Sequence, residues 1–108
     1  MRAILINPER ETVEEVEYRG GIDHIYELID ANCFSVATIN EQNDGIFVDD
    51  EGLLTPQFYA FDYEDYPQPL AGHGLILGCD YEGSTIEPSV SLQEVRSKVS
   101  FRGLCHLE

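Results

Sequence analysis

The apolar residues of this chain come in short runs, closed by turn-forming residues. "ILI" at 4–6 ends at Asn7-Pro8. "IFV" at 46–48 lies between Asn43-Asp44-Gly45 and Asp49-Asp50-Glu51-Gly52, and "LIL" at 75–77 lies between glycines. Runs this short, bounded by Gly, Pro, Asn and Asp, fit strands better than long helices. No apolar stretch approaches the ~20 residues that a membrane helix needs. The chain is therefore constrained to a sheet of short strands, with helices only where the apolar spacing changes from two to three and four.

Arg2 to Ile6 is predicted as a strand and Asn7-Pro8-Glu9-Arg10 as a turn, because Pro8 presets its φ and Asn7 can bond its own backbone. Thr12, Glu14, Val16 and Tyr18 alternate imperfectly with Val13, Glu15 and Glu17. The β-branched valines favour a strand, and its glutamates fit a solvated face or a charge-protected edge. Gly20-Gly21 breaks it. Ile22, Ile25, Leu28 and Ile29 then fall at helical spacing, with Asp23 and Glu27 opposite. A helix is expected over 22–30, with His24 solvated on its polar side. "CFSVATIN" reads as a strand largely buried on both sides, and Leu53-Leu54 is expected to re-enter the core. Ser91-Leu92-Gln93-Glu94 has the form of a capping box. Leu92, Val95 and Val99 give the following helix a core face, and Arg96 and Lys98 suit its C-terminal dipole.

The expected fold is α+β. Its order is strand-strand-helix-strand-strand, an irregular aromatic segment, then strand-helix, with the helices on one face of a mainly antiparallel sheet. A chain of 108 residues makes one domain. Residues 1–106 form it, and Leu107-Glu108 reads as a cloning remnant. Folding at this size hides roughly 65% of the unfolded chain's surface, enough for a modest core without disulfides or metal.

Charge is the compositional outlier. There are 21 acidic residues against 6 basic ones, a formal net charge of -15. A chain this long folds to a body about 34 Å across. Along that diameter the excess is about one negative charge per 2 Å, comparable to the ~1.7 Å spacing of duplex DNA. Such a surface repels nucleic acid and anionic membrane and attracts basic partners. From Gly20 to Gln93 the chain contains no Lys or Arg. The acids of that segment are expected to lack local pairing and to form a continuous negative surface.

The acids of "NDGIFVDDEGLL" fall at expected turns, where Asp and Asn bond the local backbone. A calcium loop needs oxygen ligands at alternate positions, a central glycine and a later bidentate glutamate. Asp44, Asp49 and Glu51 are split by an apolar triplet and do not match. Paired carboxylates act as acid and base only where their environments drive their pKa values apart, and a solvated turn does not. Gly72-His73-Gly74 precedes a strand, whereas a phosphate loop precedes a helix.

Cys33, Cys79 and Cys105 are odd in number and widely spaced, the pattern of reduced thiols in a cytosolic protein. Cys33 and Cys79 lie in or beside apolar runs and read as small core residues. Structural zinc uses ligand pairs two to four residues apart, and Cys105-His106 are adjacent. Pairing of Cys79 with His73, or Cys33 with His24, as nucleophile and base is a spatial matter that sequence does not test. No nucleophile, base and orienter can be named together. The sequence thus gives no catalytic residue, no metal and no cofactor.

"PQFYAFDYEDYPQP" interleaves aromatic and acidic residues. An extended backbone points Tyr59, Phe61 and Tyr63 to one face. Phe58 and Phe61 suit a core with tyrosines at its rim. The same tyrosines, flanked by acids, also suit a contact surface for a basic partner. Acidic neighbours exclude a single-stranded nucleic-acid platform.

Together, "ILINPERETVEEVEY", "IDHIYELIDA", and "GIFVDDEGLL" followed by "YPQPLAGHGLILG" resemble a family of small uncharacterised phage, prophage and plasmid proteins. These carry a domain of unknown function with an N-terminal hairpin, a helix and a following sheet. The resemblance spans roughly Arg2 to Glu82. It implies a mobile-element origin and expression in the cytoplasm of a bacterial host, and it brings no catalytic residues.

The leading functional expectation is an acidic interaction protein that occupies a basic surface of a host or element-encoded protein. DNA mimicry toward a nucleic-acid-binding partner is its sharpest form. Asp49, Asp50, Glu51, Asp62, Glu64 and Asp65 would present the charge, with Tyr59, Tyr63 and Tyr66 as anchors. The alternative is a pocket protein that binds a small metabolite or nucleotide-like signal without catalysis.

Overall fold

The structure is a computed structural model that describes residues 1–51 and 56–106. Gly52, the Leu53-Leu54 return to the core and the Leu107-Glu108 pair lie outside the described residues. Strands β1 (Arg2–Asn7) and β2 (Thr12–Glu17) form the expected hairpin. Asn7 fixes its turn, because Oδ1 accepts the N–H groups of Glu9 at 3.1 Å and Arg10 at 3.2 Å. Helix α1 (Ile22–Ile29) starts after Gly20 and Gly21, at φ 95° and 86°. It stops at Asp30, whose left-handed φ of 54° lets the Ala31 N–H reach the Tyr26 carbonyl at 3.1 Å.

Strands β3 (Phe34–Thr38) and β4 (Gly45–Asp49) form a second hairpin. Its positive φ, 65°, falls on Asn43. The remaining elements are β5 (Gln57–Tyr63), β6 (Leu70–Ala71), β7 (Gly74–Cys79), β8 (Thr85–Ile86), α2 (Leu92–Lys98) and β9 (Val99–His106). One antiparallel sheet runs β2-β1-β7-β4-β3, with β8 on the end of β7, and a second runs β6-β5-β9. The α+β, mainly antiparallel class is the one the sequence implies.

Strand parity divides the core in two. Ile4, Ile76 and Ile46 lie in register across β1, β7 and β4 and face one side. Leu5, Leu75 and Phe47 lie one step along and face the other. The first side packs against Phe61 and Tyr63 of β5 and Val95 of α2, and the second against Ile25 and Ile29 of α1. The helices therefore cover opposite faces, not one. Val13 and Val16 of β2 differ in parity, so each feeds a different cluster, which explains the imperfect alternation of that strand.

Other expectations change. The aromatic segment is not irregular but forms β5, and the last described element is β9 rather than the helix. Between Ala60 and Phe61 the register of this pair shifts, leaving Arg102 as a bulge beside Gly103 at φ 72°. β3 is an edge strand, so Ser35, Val36 and Thr38 are exposed rather than buried. β2 is the opposite edge, with Glu14, Glu15 and Glu17 exposed. His24 is buried rather than solvated, because it stacks on Tyr18 at 5.6 Å and its Nδ1 accepts the Arg19 N–H at 2.9 Å. Cys79 is exposed, at the point where β7 leaves the core, and Cys33 is half-buried.

Candidate acidic cleft

The turn after β1, the end of α1, the end of β4 and the first half of β5 meet at one end of the molecule. There they enclose a cleft of about 200 Å³. Its acidic members are Glu9, Asp30 and Asp49, and its flat and apolar members include Phe58, Tyr59 and Ile29. Each carboxylate arrives for a local reason. Glu9 sits in the Asn7-nucleated turn. Asp30 is the left-handed cap of α1, where the helix dipole adds further negative potential. Asp49 closes β4, and its Oδ1 accepts the Glu51 N–H at 2.9 Å.

His73 also lines the cleft. Gly72, at φ 79°, turns the chain between β6 and β7 and donates its N–H to the Tyr59 carbonyl at 2.8 Å. This bond holds His73 beside β5. The Gly72-His73-Gly74 stretch therefore acts as a turn that delivers an imidazole to an acidic rim.

Asp49 also borders a second cleft, of about 190 Å³, with Asp50 and Tyr66 on its wall. Glu51 belongs to the same end. Burial, and then the charges of Glu51, Asp49 and Asp50, raise the pKa of the Cys33 thiol above its ordinary value. A raised pKa disfavours the thiolate, the nucleophilic form of the group. Among the described residues, no group of three or more His, Cys, Asp or Glu could hold a metal ion.

Of the nine residues expected to form a contact surface, five gather here: Asp49, Asp50, Glu51, Tyr59 and Tyr66. The other four do not. The Arg102 Nε donates to Asp62 Oδ2 at 2.7 Å, and Lys98 Nζ pairs with Asp65. Both cations come from the C-terminal α2–β9 unit, which lies next to β5 in space but far along the chain. The expectation that acids of the cation-free segment stay unpaired is therefore corrected at these two positions. Glu64 is exposed, with its N–H on the Lys98 carbonyl at 3.0 Å. Tyr63 is not a surface anchor; at 1% exposure it is one of the largest fully buried side chains.

Asp44 departs furthest from the sequence reading. It sits after the β3–β4 turn, yet it is 1% exposed. Its carboxylate accepts the Ser89 N–H at 2.9 Å, the Ser89 hydroxyl, and Asn40 Nδ2 at 2.8 Å. It is a structural clamp on the loop before α2. Sequence reasoning also left out Glu9, Asp30 and His73 as members of the cleft. Their only signal was proximity to turn residues, which does not say which turns meet.

Residues 1–100 match the family model described as Domain of unknown function (DUF3846). The match runs beyond Glu82 to include α2. No curated protein and no solved structure matches the chain. Among the described residues, no helix is long and apolar enough to cross a membrane.

Proposed function

The chain belongs to that family, and we propose that it is an acidic interaction protein of a mobile element. In this reading it binds a basic surface on a host or element-encoded protein inside a bacterial cell. One observation carries it: Glu9, Asp30, Asp49, Asp50 and Glu51 gather at one end with Tyr59 and Tyr66, and among the described residues no Lys or Arg lines either cleft there. Carboxylates around aromatic faces are the complement of lysine and arginine side chains. Mimicry of DNA, if the partner binds nucleic acid, is confined to this end, since Asp62 and Asp65 are already neutralised.

A cleft of about 200 Å³ is smaller than the roughly 300–1,000 Å³ usual for small-molecule sites. The metabolite reading gains no support at this end. The test is capture of partners from host lysate at low and moderate salt, with Asp49→Asn/Asp50→Asn/Glu51→Gln as the control. The expected result is a basic protein retained at low salt, released by added salt or by competing DNA, and lost with the triple variant. Retention of nothing basic by the parent protein, or equal retention by the triple variant, overturns the reading.

A further inference from the structure

A second cleft lies elsewhere, between α2, the β3–β4 turn and the end of β5. It shares no residue with the acidic end. Its volume is about 420 Å³, and its walls include Gln42, Tyr63, Asp65, Glu94 and Lys98. The Tyr63 side chain lines this space, yet its hydroxyl is buried and has no hydrogen-bond partner within the protein. Buried tyrosine hydroxyls ordinarily find one. Three neighbouring groups are engaged elsewhere: Lys98 Nζ with Asp65, and the Ser89 hydroxyl and the Asn40 amide with Asp44.

Charge around the hydroxyl has one dominant sign. Asp65, Glu94, Asp44 and Glu64 all act on it electrostatically, against the single ammonium of Lys98 on the wall. An anion is repelled from such a place. A donor-rich cation meets both an unpartnered phenol oxygen and the Glu94 carboxylate, which forms no salt bridge among the described residues although Lys98 lies within its electrostatic reach. We propose that this cleft is a binding site for a small organic cation, a guanidinium or primary ammonium group. Tyr63 accepts one N–H and Glu94 supplies the counter-charge. The volume holds one alkyl guanidinium with some of its water.

Agmatine is a suitable probe, because it carries both cationic groups on a short chain. Titration into protein with ¹³C-labelled tyrosine follows Tyr63 directly, and Tyr63→Phe identifies its signal. Saturable movement of that signal is expected with agmatine and not with glutarate, a dianion without an ammonium group. With affinity read by titration calorimetry, Glu94→Gln and Tyr63→Phe should each weaken agmatine binding about five- to tenfold, as expected for loss of one charge-assisted bond. Both variants should remain folded by circular dichroism, since one is isosteric and the other lies on the surface.

A blocked Gly-Arg-Gly peptide separates the two sources of such a group. Binding of both probes supports a cleft that also takes a side chain of a partner protein, and binding of agmatine alone supports a free small molecule. A Tyr63 signal that agmatine leaves still, one that glutarate moves equally, or agmatine affinity unchanged in Tyr63→Phe overturns the proposal. Because Asp49, Asp50 and Glu51 are untouched, failure here leaves partner capture at the acidic end intact.

Discussion

Asp44 shows how much one side chain can decide. The Asn43-Asp44-Gly45 turn was legible, and the positive φ duly falls there, on Asn43. What the sequence does not display is Ser89, 45 residues away, whose N–H and hydroxyl bind the carboxylate. Asp44→Ala removes the acceptor and leaves those donors and the Asn40 amide unpaired. It should cost about 3 kcal/mol in urea unfolding, the scale of lost hydrogen bonds to a buried charge. Asp50→Ala, on the exposed side of the same hairpin, should change stability by less than about 0.5 kcal/mol. Tyr63 gives a second test at this scale. Burial first, then Asp65, Glu94, Asp44 and Glu64, push its pKa from 10.0 up to about 12. The folded state therefore holds the phenol proton where the unfolded chain releases it. Stability from this group is complete below pH 10 and is lost as pH rises toward 12, by on the order of 2 kcal/mol. Urea midpoints measured across that window should fall less in Tyr63→Phe than in the parent protein.

Among the elements, those with a complete local signal were readable. The first hairpin carries Asn7-Pro8, α1 carries its apolar spacing, and α2 carries Ser91, whose Oγ accepts the Glu94 N–H at 3.1 Å. β9 was not readable, because Gly103 interrupts its alternation at the bulge and strand pairing with β5 supplies what local pattern lacks. The face assigned to each helix was equally hidden, since a two-residue period marks both faces of a buried strand as apolar. Gly74 of β7 faces Phe61 of the second sheet at close range. A Cβ built there would lie 2.8 Å from Ile46 Cγ2 and 2.8 Å from Phe61 Cζ. Neither neighbour has room to move, as both are 0% exposed. Gly74→Ala should destabilise the protein by about 1–3 kcal/mol through overpacking, measured as a lower midpoint in urea with an unchanged slope.

For the whole molecule, size and charge total followed from composition, while charge placement did not. The radius of gyration is 12.9 Å, against about 13 Å from chain length alone. The net charge of -15 is not uniform over that body. Arg2 lies near Glu15 and Glu87, Arg19 near Glu27, Lys98 beside Asp65 and Arg102 beside Asp62. Among the described residues these pairs leave Asp49, Asp50 and Glu51 without a salt bridge, and likewise Glu14, Glu17, Glu64 and Glu94, so the acidic end is one of several places where the excess lies. Mutual repulsion of this excess opposes compaction and is screened by salt. Raising sodium chloride from about 10 mM to about 500 mM should therefore stabilise the fold by on the order of 1 kcal/mol, read as a higher thermal midpoint. A fall in midpoint would mean that the ion pairs outweigh the repulsion.

The two margins of the main sheet are unlike. β2 presents Glu14, Glu15 and Glu17 and has its Val13 carbonyl occupied by Arg96 at 3.0 Å, whereas β3 presents the uncharged Ser35, Val36 and Thr38. Among the described residues, β3 is therefore the less charged border and β2 the one that opposes pairing between molecules. Two copies joined through β3 would turn their glutamate-bearing borders outward, and like charge there opposes the addition of a third. Growth of such a pair into a fibre would have to overcome that repulsion at every step.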